Sequence, residues 1–244
     1  MKKVLFIQHA NGLGGSVYSL KYTIEELTKL DKVNFLFEVL LMRKSKDVQK
    51  LYEKSNIKVK YFKEISTYEY SQAKFFNLFN PFELFLELIQ LLKLPISVFN
   101  LVLILKKLKP DIIHLNSSVI SSGVIAGWIL KIPVIWHFRE APPKKYLGFR
   151  KFIFKTLMKM TKKCFFISKS NLKEWEGHYN GEVVYNFINI KKFNSQINKN
   201  LYNGDNLKLT FLGGVPKIKG GHVLLKSFIK AHNNGYKFQN VELN

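Results

Sequence analysis

The chain has a single cysteine, Cys164, at the head of the apolar run Cys-Phe-Phe-Ile. With no second thiol an internal disulfide is excluded and a reducing compartment is expected; a buried structural thiol is the plain role for it. Arginine is scarce too. Arg43, Arg139 and Arg150 are the only ones, so a sequence-specific nucleic-acid reader, which leans on bidentate arginine, is not expected. Acidic residues number 17 against 39 basic ones, a formal net charge of +22. Such a surface favours anionic partners, among them phosphorylated small molecules and acidic lipid headgroups, although lysines scattered along a chain are mainly a solvated surface. There is no Asp-x-Asp pair, no G-x-S-x-G elbow and no histidine–cysteine spacing that would hold zinc, so no metal is expected. No apolar run is long and clean enough to span a bilayer: Glu83, Glu87, Gln90, Lys93 and Pro95 interrupt the richest one, 75–108. The start, Met-Lys-Lys-Val-Leu-Phe-Ile-Gln, reaches His9 and Gly12 too soon for a signal peptide and reads as a first strand.

What is there is an alternation of short apolar runs and helical patterns. Strands are expected at Val4–Ile7, Val33–Leu41, Ile57–Phe62, Ile112–Leu115, Val134–Trp136, Cys164–Ile167 and Glu182–Tyr185. Helices fall between them, the first carried by Val17, Leu20, Ile24, Leu27 and Leu30. This alternation predicts an α/β fold, a Rossmann-like, largely parallel sheet flanked by helices. In the stretch 75–108 Pro95 is expected to divide two helices. That stretch packs against the sheet or rests as an interfacial patch on acidic lipid. The expected organisation is a first domain over 1–188, a polar linker over 189–206, and the start of a second, incomplete Rossmann-like unit over 207–244.

Chemistry concentrates at four places. After the first strand, Gly12-Leu13-Gly14-Gly15-Ser16 opens a helix, where bare backbone N–H groups and the helix dipole attract phosphate or carboxylate. It is a poor dinucleotide fingerprint, because Val17 stands at the third glycine position and no acidic residue ends the second strand. Two strand ends deliver polar clusters: His114, Asn116, Ser117 and Ser118, then His137, Arg139 and Glu140. In a parallel sheet such clusters face one crevice outside the carboxyl ends. Finally, Gly213–Gly221 is a glycine-flanked loop bearing Lys217 and Lys219, a candidate diphosphate cradle.

Six motifs in order carry a resemblance: the Gly14-Gly15 turn, Lys-Pro-Asp-Ile-Ile-His at 109–114, Ile-Pro-Val-Ile-Trp-His-Phe-Arg-Glu at 132–140, Ile167-Ser168-Lys169-Ser170, Val184-Tyr185-Asn186-Phe187-Ile188-Asn189, and Phe211-Leu212-Gly213-Gly214 through Lys219-Gly220. Together they resemble glycosyltransferase family 4, retaining enzymes of the GT-B fold, and in Asn116-Ser117-Ser118 with His137-x-Arg139-Glu140 a branch acting in cell-surface polysaccharide assembly. The resemblance implies transfer of a sugar, of the hexosyltransferase type (EC 2.4), from a nucleotide-diphospho-sugar to a lipid-linked or glycan acceptor. It implies no cofactor, a cytoplasmic site at the inner membrane face, and an anionic membrane surface and the two substrates as partners, with no nucleic acid.

By the same resemblance Asn116, His137, Arg139 and Glu140 are the catalytic candidates, lining the acceptor side near the sugar. Gly14, Gly15, Ser117, Ser118, Gly213, Lys217 and Lys219 would bind substrate, Lys219 and the Gly15 N–H meeting the diphosphate in place of a metal. The chain departs from the family pattern at Gly214, where an arginine is usual, and at Asn116, often a histidine. The family's E-x7-E region would lie beyond Asn244, so these 244 residues by themselves are expected to transfer little or no sugar. The alternative is a non-catalytic basic α/β module that binds phosphate-bearing ligands or nucleic acid.

Overall fold

Over residues 1–189 each short apolar run bounded by turn residues forms a strand, and the helices between them pack on the sheet those strands build. The computed structural model describes residues 1–30, 34–62, 65, 81–142, 149–175, 181–187, 207–209, 211, 220–236 and 241–243. Two compact units divide the chain, Met1–Asn189 and Ile190–Asn244.

The first unit runs β1 (Lys2–Gln8), α1 (Gly15–Thr28), β2 (Phe35–Leu41), α2 (Lys46–Glu53), β3 (Lys58–Lys60), α3 (Pro81–Leu108), β4 (Ile112–Leu115), α4 (Ser121–Ile129), β5 (Val134–Phe138), α5 (Phe149–Lys159), β6 (Lys163–Phe166), α6 (Lys169–Glu174) and β7 (Gly181–Val183). Its seven strands are all parallel, in the order β3-β2-β1-β4-β5-β6-β7. This is the doubly wound arrangement, and the direction of winding reverses between β1 and β4. Ligands of such sheets sit outside the strands' carboxyl ends at that reversal. In the second unit β8 (Leu207–Leu209) pairs in parallel with β9 (Val241–Leu243), and α7 (Gly221–Asn233) lies between them in sequence.

Helices cover the sheet on both sides. Val17, Leu20 and Ile24 of α1 bury against Phe6, Val39 and Leu41. On the opposite side α3 to α6 cover Leu5, Ile7, Ile113, Leu115, Trp136 and Phe138. Leu30, expected to extend the stripe of α1, lies beyond the helix end and is exposed. Cys164 is buried, its thiol against the Thr161 hydroxyl at 3.2 Å, and burial pushes its pKa up to about 11.

Pro95 does not divide two helices; α3 is continuous from Pro81 to Leu108 with Pro95 inside it. A proline within a helix forfeits one backbone hydrogen bond, at about 3 kcal/mol. Burial of Leu101, Ile104 and Leu105, with Leu91 and Leu94 packed beside them, outweighs that loss, since each fully buried aliphatic side chain contributes about 2 kcal/mol.

Two features hold the layers in register. Helix α4 lies close on β4 and β5 because Gly123 and Gly127 face the sheet: a Cβ on Gly127 would sit 2.3 Å from Val134 Cγ2 and 3.3 Å from the Ile132 carbonyl oxygen. Valine is stiff and the carbonyl is backbone, so the helix itself would have to lift. Gly127→Ala should therefore lower stability by about 1–3 kcal/mol, read as a reduced urea midpoint at unchanged m-value.

On β2, Glu38 is buried in an otherwise apolar strand and bridges two lysines, Lys3 on β1 and Lys58 on β3, each at 2.8 Å. Burial alone would raise its pKa, but hydrogen bonds and charge from both lysines outweigh burial and hold it below 4.5. The stability Glu38 contributes is thus fully present above 4.5 and is lost as pH falls through the depressed folded-state value. Glu38→Gln should flatten this part of the acid limb of a stability-versus-pH curve; an unchanged limb would show the bridge to be inert.

Candidate functional site

Three loops meet at the winding reversal: the one after β1, the one after β4 and the one after β5. Register explains which side chains converge. Phe6, His114 and Ile135 share one face of the sheet, as do His137 and Phe165 one step further along. Strand alternation then carries Asn116 and Arg139 to the same side as His114 and His137.

Arg139 is the centre. Its Nε and Nη2 donate to Asn116 Oδ1 at 3.0 and 2.8 Å, and its Nη1 donates to Asn186 Oδ1 at 2.6 Å and to Ser19 Oγ at 3.2 Å. The Ser19 hydroxyl donates in turn to Asn186 Oδ1 at 3.1 Å, and Asn116 Nδ2 donates to the Ser16 carbonyl at 3.1 Å. Asn116, fully buried, therefore joins the β4 end to the first turn of α1 and fixes the guanidinium. Among the described residues Arg139 makes no salt bridge; every acceptor it has is neutral. Burial pulls its pKa down to about 10, outweighing the opposing pull of Glu140 and the Tyr52 hydroxyl, and it stays charged at neutral pH.

Glu140 faces the other way. Its Oε1 accepts from Ser117 Oγ at 2.6 Å, and its Oε2 accepts from Ser118 Oγ at 2.5 Å, the Ser118 N–H at 3.1 Å and its neighbour's N–H at 3.3 Å. Its carbonyl accepts from Asn171 Nδ2 at 3.0 Å and Trp175 Nε1 at 3.1 Å. Trp136, buried on β5, donates its indole N–H to the Ser117 carbonyl at 2.9 Å. The carboxylate is thus a clamp that closes the β4 turn onto the β5 end, and Ser117 and Ser118 are buried within it.

His114 and His137 meet edge to face at 5.7 Å between ring centroids, with Phe6 and Phe165 against them. Burial first, then the charge of Arg139, lowers the His114 pKa to about 3. The same two causes, with His114 adding a third, lower that of His137 to about 2. Both imidazoles are neutral at any physiological pH, so what they offer is a neutral donor or acceptor rather than a proton.

The glycine turn leads into α1. Gly14 is its N-cap and supplies no side-chain hydrogen bond, and the first turn holds no acidic residue, so the terminal N–H groups lack a side-chain partner. Neither packing nor a left-handed backbone requires glycine at 12, 14 or 15: a Cβ on any of them would meet nothing within 4 Å. The space on the side-chain side of this turn is open. Gly213, Lys217 and Lys219, and the linker expected over 189–206, lie outside the described residues. Among the described residues no three His, Cys, Asp or Glu side chains converge as metal ligands.

Sequence reasoning missed Ser19, Asn171, Asn186 and Trp175 as parts of this network. Asn186 lies within the Val184–Asn189 motif, whereas Ser19 is one hydroxyl on an amphipathic helix and nothing in its neighbours marks it. Ser168, also within a motif, is the N-cap of α6, accepting from the Asn171 N–H at 3.0 Å.

Residues 67–192 match the model of Glycosyltransferase Family 4. Over 143 residues the chain is 31% identical to the UDP-N-acetylglucosamine--N-acetylmuramyl-(pentapeptide) pyrophosphoryl-undecaprenol N-acetylglucosamine transferase of Wigglesworthia glossinidia brevipalpis, covering 58% of this chain and 35% of that protein. Among solved structures, HepE of Anabaena in complex with UDP-glucose aligns at a TM-score of 0.67 with 16% identity, over 100% of this chain and 60% of that one. A glycosyltransferase from Rickettsia africae aligns at 0.57 with 14% identity, over 100% and 68%. The chain thus spans about a third of the curated relative, and the structural likenesses show a common fold.

If the Glu140 clamp shapes the site, Glu140→Ala should remove three hydrogen bonds from the β4 turn and lower stability by about 2–3 kcal/mol, read from urea unfolding. Glu140→Gln, which keeps an acceptor oxygen, should cost less.

Proposed function

This chain belongs to glycosyltransferase family 4, and on that premise we propose that it forms the acceptor-side part of an enzyme that transfers a sugar from a nucleotide-diphospho-sugar to a lipid-linked or glycan acceptor in cell-surface polysaccharide synthesis. The observation that carries this reading is the cation of Arg139, held by neutral acceptors only and bonded to Ser19 of α1, the helix whose N-terminal amides have no side-chain cap, at the sheet's winding reversal. A half-buried guanidinium with only neutral hydrogen-bond acceptors keeps its donors and charge directed at the α1 end of the site, and helix N-terminal amides without a side-chain cap favour negative charge there too. An anion suits both, and a departing diphosphate develops its charge as the sugar leaves.

The roles follow from that arrangement. Arg139 and the Gly15 N–H stabilise the developing negative charge. Neutral His137 orients a hydroxyl by hydrogen bonding, since at its depressed pKa the ring is not an imidazolium and cannot serve as the general acid. Asn116 and Glu140 position, the first fixing Arg139 and the second closing the serine turn. Lys217 and Lys219 would meet the diphosphate as the family resemblance implies, and no metal or other cofactor is invoked. Two names support the substrates: HepE was solved with UDP-glucose, and the Wigglesworthia relative is named for transfer to a pyrophosphoryl-undecaprenol acceptor. A lipid-linked acceptor would place the reaction at the inner membrane face. No helix among the described residues is long and apolar enough to cross a membrane.

The test is a transfer assay on the whole encoded protein with a panel of nucleotide-diphospho-sugars and a polyprenyl-diphosphate-linked acceptor. Transfer from one donor is expected, lowered about a hundredfold by Arg139→Ala and much less by Arg139→Lys. A protein that neither binds nor turns over any donor of the panel, yet binds phosphate-bearing ligands generally, would instead be a basic binding module.

A further inference from the structure

Among the described residues a large apolar surface lies uncovered along α3. A helix that is hydrophobic on every side is ordinarily buried on every side. Here one face packs in the core through Leu101, Ile104 and Leu105, while Phe85, Leu88, Leu92, Ile96, Phe99 and Leu103 are all more than half exposed. Their spacing of three or four residues puts these six on a single stripe down a helix about 42 Å long. An apolar groove of 530 Å³ between α3 and α4 extends the surface sideways; Phe99 and Pro95 line one wall, Ile125 and Ile129 the other. Trp128, 61% exposed, stands beside Ile129.

Charge identifies the occupant. By helical register Lys106 and Lys107 continue the stripe at its C-terminal end, and both are exposed. The helix's two glutamates, at 83 and 87, do not share the stripe's spacing. A second copy of a chain carrying +22 would be repelled electrostatically, whereas an anionic bilayer attracts the same charge over about a Debye length. We propose that this face of α3, with the end of α4, is an in-plane docking surface for an anionic lipid bilayer, the stripe seated at the headgroup–acyl boundary and the terminal lysines on the headgroups. It deepens the placement at a membrane face given above. Vesicle binding needs no donor sugar, so its failure and that of the transfer reading are told apart.

The probe is a set of vesicles of phosphatidylcholine with or without phosphatidylglycerol, added to the full chain at low salt. Trp136 and Trp175 are fully buried, so Trp128 is the tryptophan that reports the surface. Binding to the anionic vesicles with a blue shift in emission, absent in Trp128→Phe, is the expected result. Leu92→Asp/Phe99→Asp should weaken binding at least tenfold and Lys106→Glu severalfold, with thermal unfolding unchanged in both, because all three side chains are exposed. No binding would overturn the proposal, as would binding that the Leu92→Asp/Phe99→Asp variant leaves intact, which would make it a general effect of basic charge. A dimer in sedimentation velocity that this variant dissociates, without vesicle binding, would overturn it in favour of a second copy.

Discussion

A guanidinium withdrawn from water must be given oxygen acceptors, and that requirement at Arg139 organises the site end of the first unit. Its partners come from three separate places: Asn116 from the turn after β4, Ser19 from α1, and Asn186 from the segment that follows β7. Meeting one arginine's needs therefore pins the end of β4, the first turns of α1 and the chain's path out of the sheet to the end of β5. Because each of these acceptors is neutral, the charge is oriented without being cancelled. The same site can then hold its own loops together and still present a field to an anion.

Glu140, the next residue along, solves the complementary problem. The tight turn Asn116-Ser117-Ser118 exposes hydroxyl and amide donors in a dry environment, and a carboxylate can accept from several at once. Placing Arg139 and Glu140 side by side sends the cation toward α1 and the anion toward the serine turn. The two do not form a salt bridge with each other, although the charge of Glu140 is felt at Arg139. Beneath them, His114 and His137 are kept neutral by burial and by the arginine's own charge, which gives a polar floor to the site without a further charge.

The long helix α3 shows a different balance. Packing on the sheet uses one face of a segment that is apolar all round, and the energy gained there is enough to carry Pro95 within the helix. The unused face is then available for another apolar phase. Composition alone left core packing and an interfacial patch as rival roles for this stretch; the fold gives core packing to one side of the helix and leaves the other side bare.

Much of the architecture was legible in the chain. Short buried strands of a parallel sheet read as continuous apolar runs, and their alternation with helical patterns allows few folds, so the seven strands of the first unit were placed to within a few residues. Polar residues that break off an apolar run, as at 114–118 and 137–140, could be located for the same reason: burial tolerates them only where the strand leaves the core. What they bond to could not be read, because hydrogen-bond partners depend on register and on side-chain direction across 23 to 120 residues of separation. Nothing local distinguishes Ser19 from any other helical serine. The sequence by itself determined the elements, their order and where the polar groups emerge, since these follow from local periodicity and burial. Only the tertiary structure decided which of those groups clamp a turn, which carry an uncancelled charge, and which side of α3 stays bare, since those outcomes depend on what each side chain meets when the layers close.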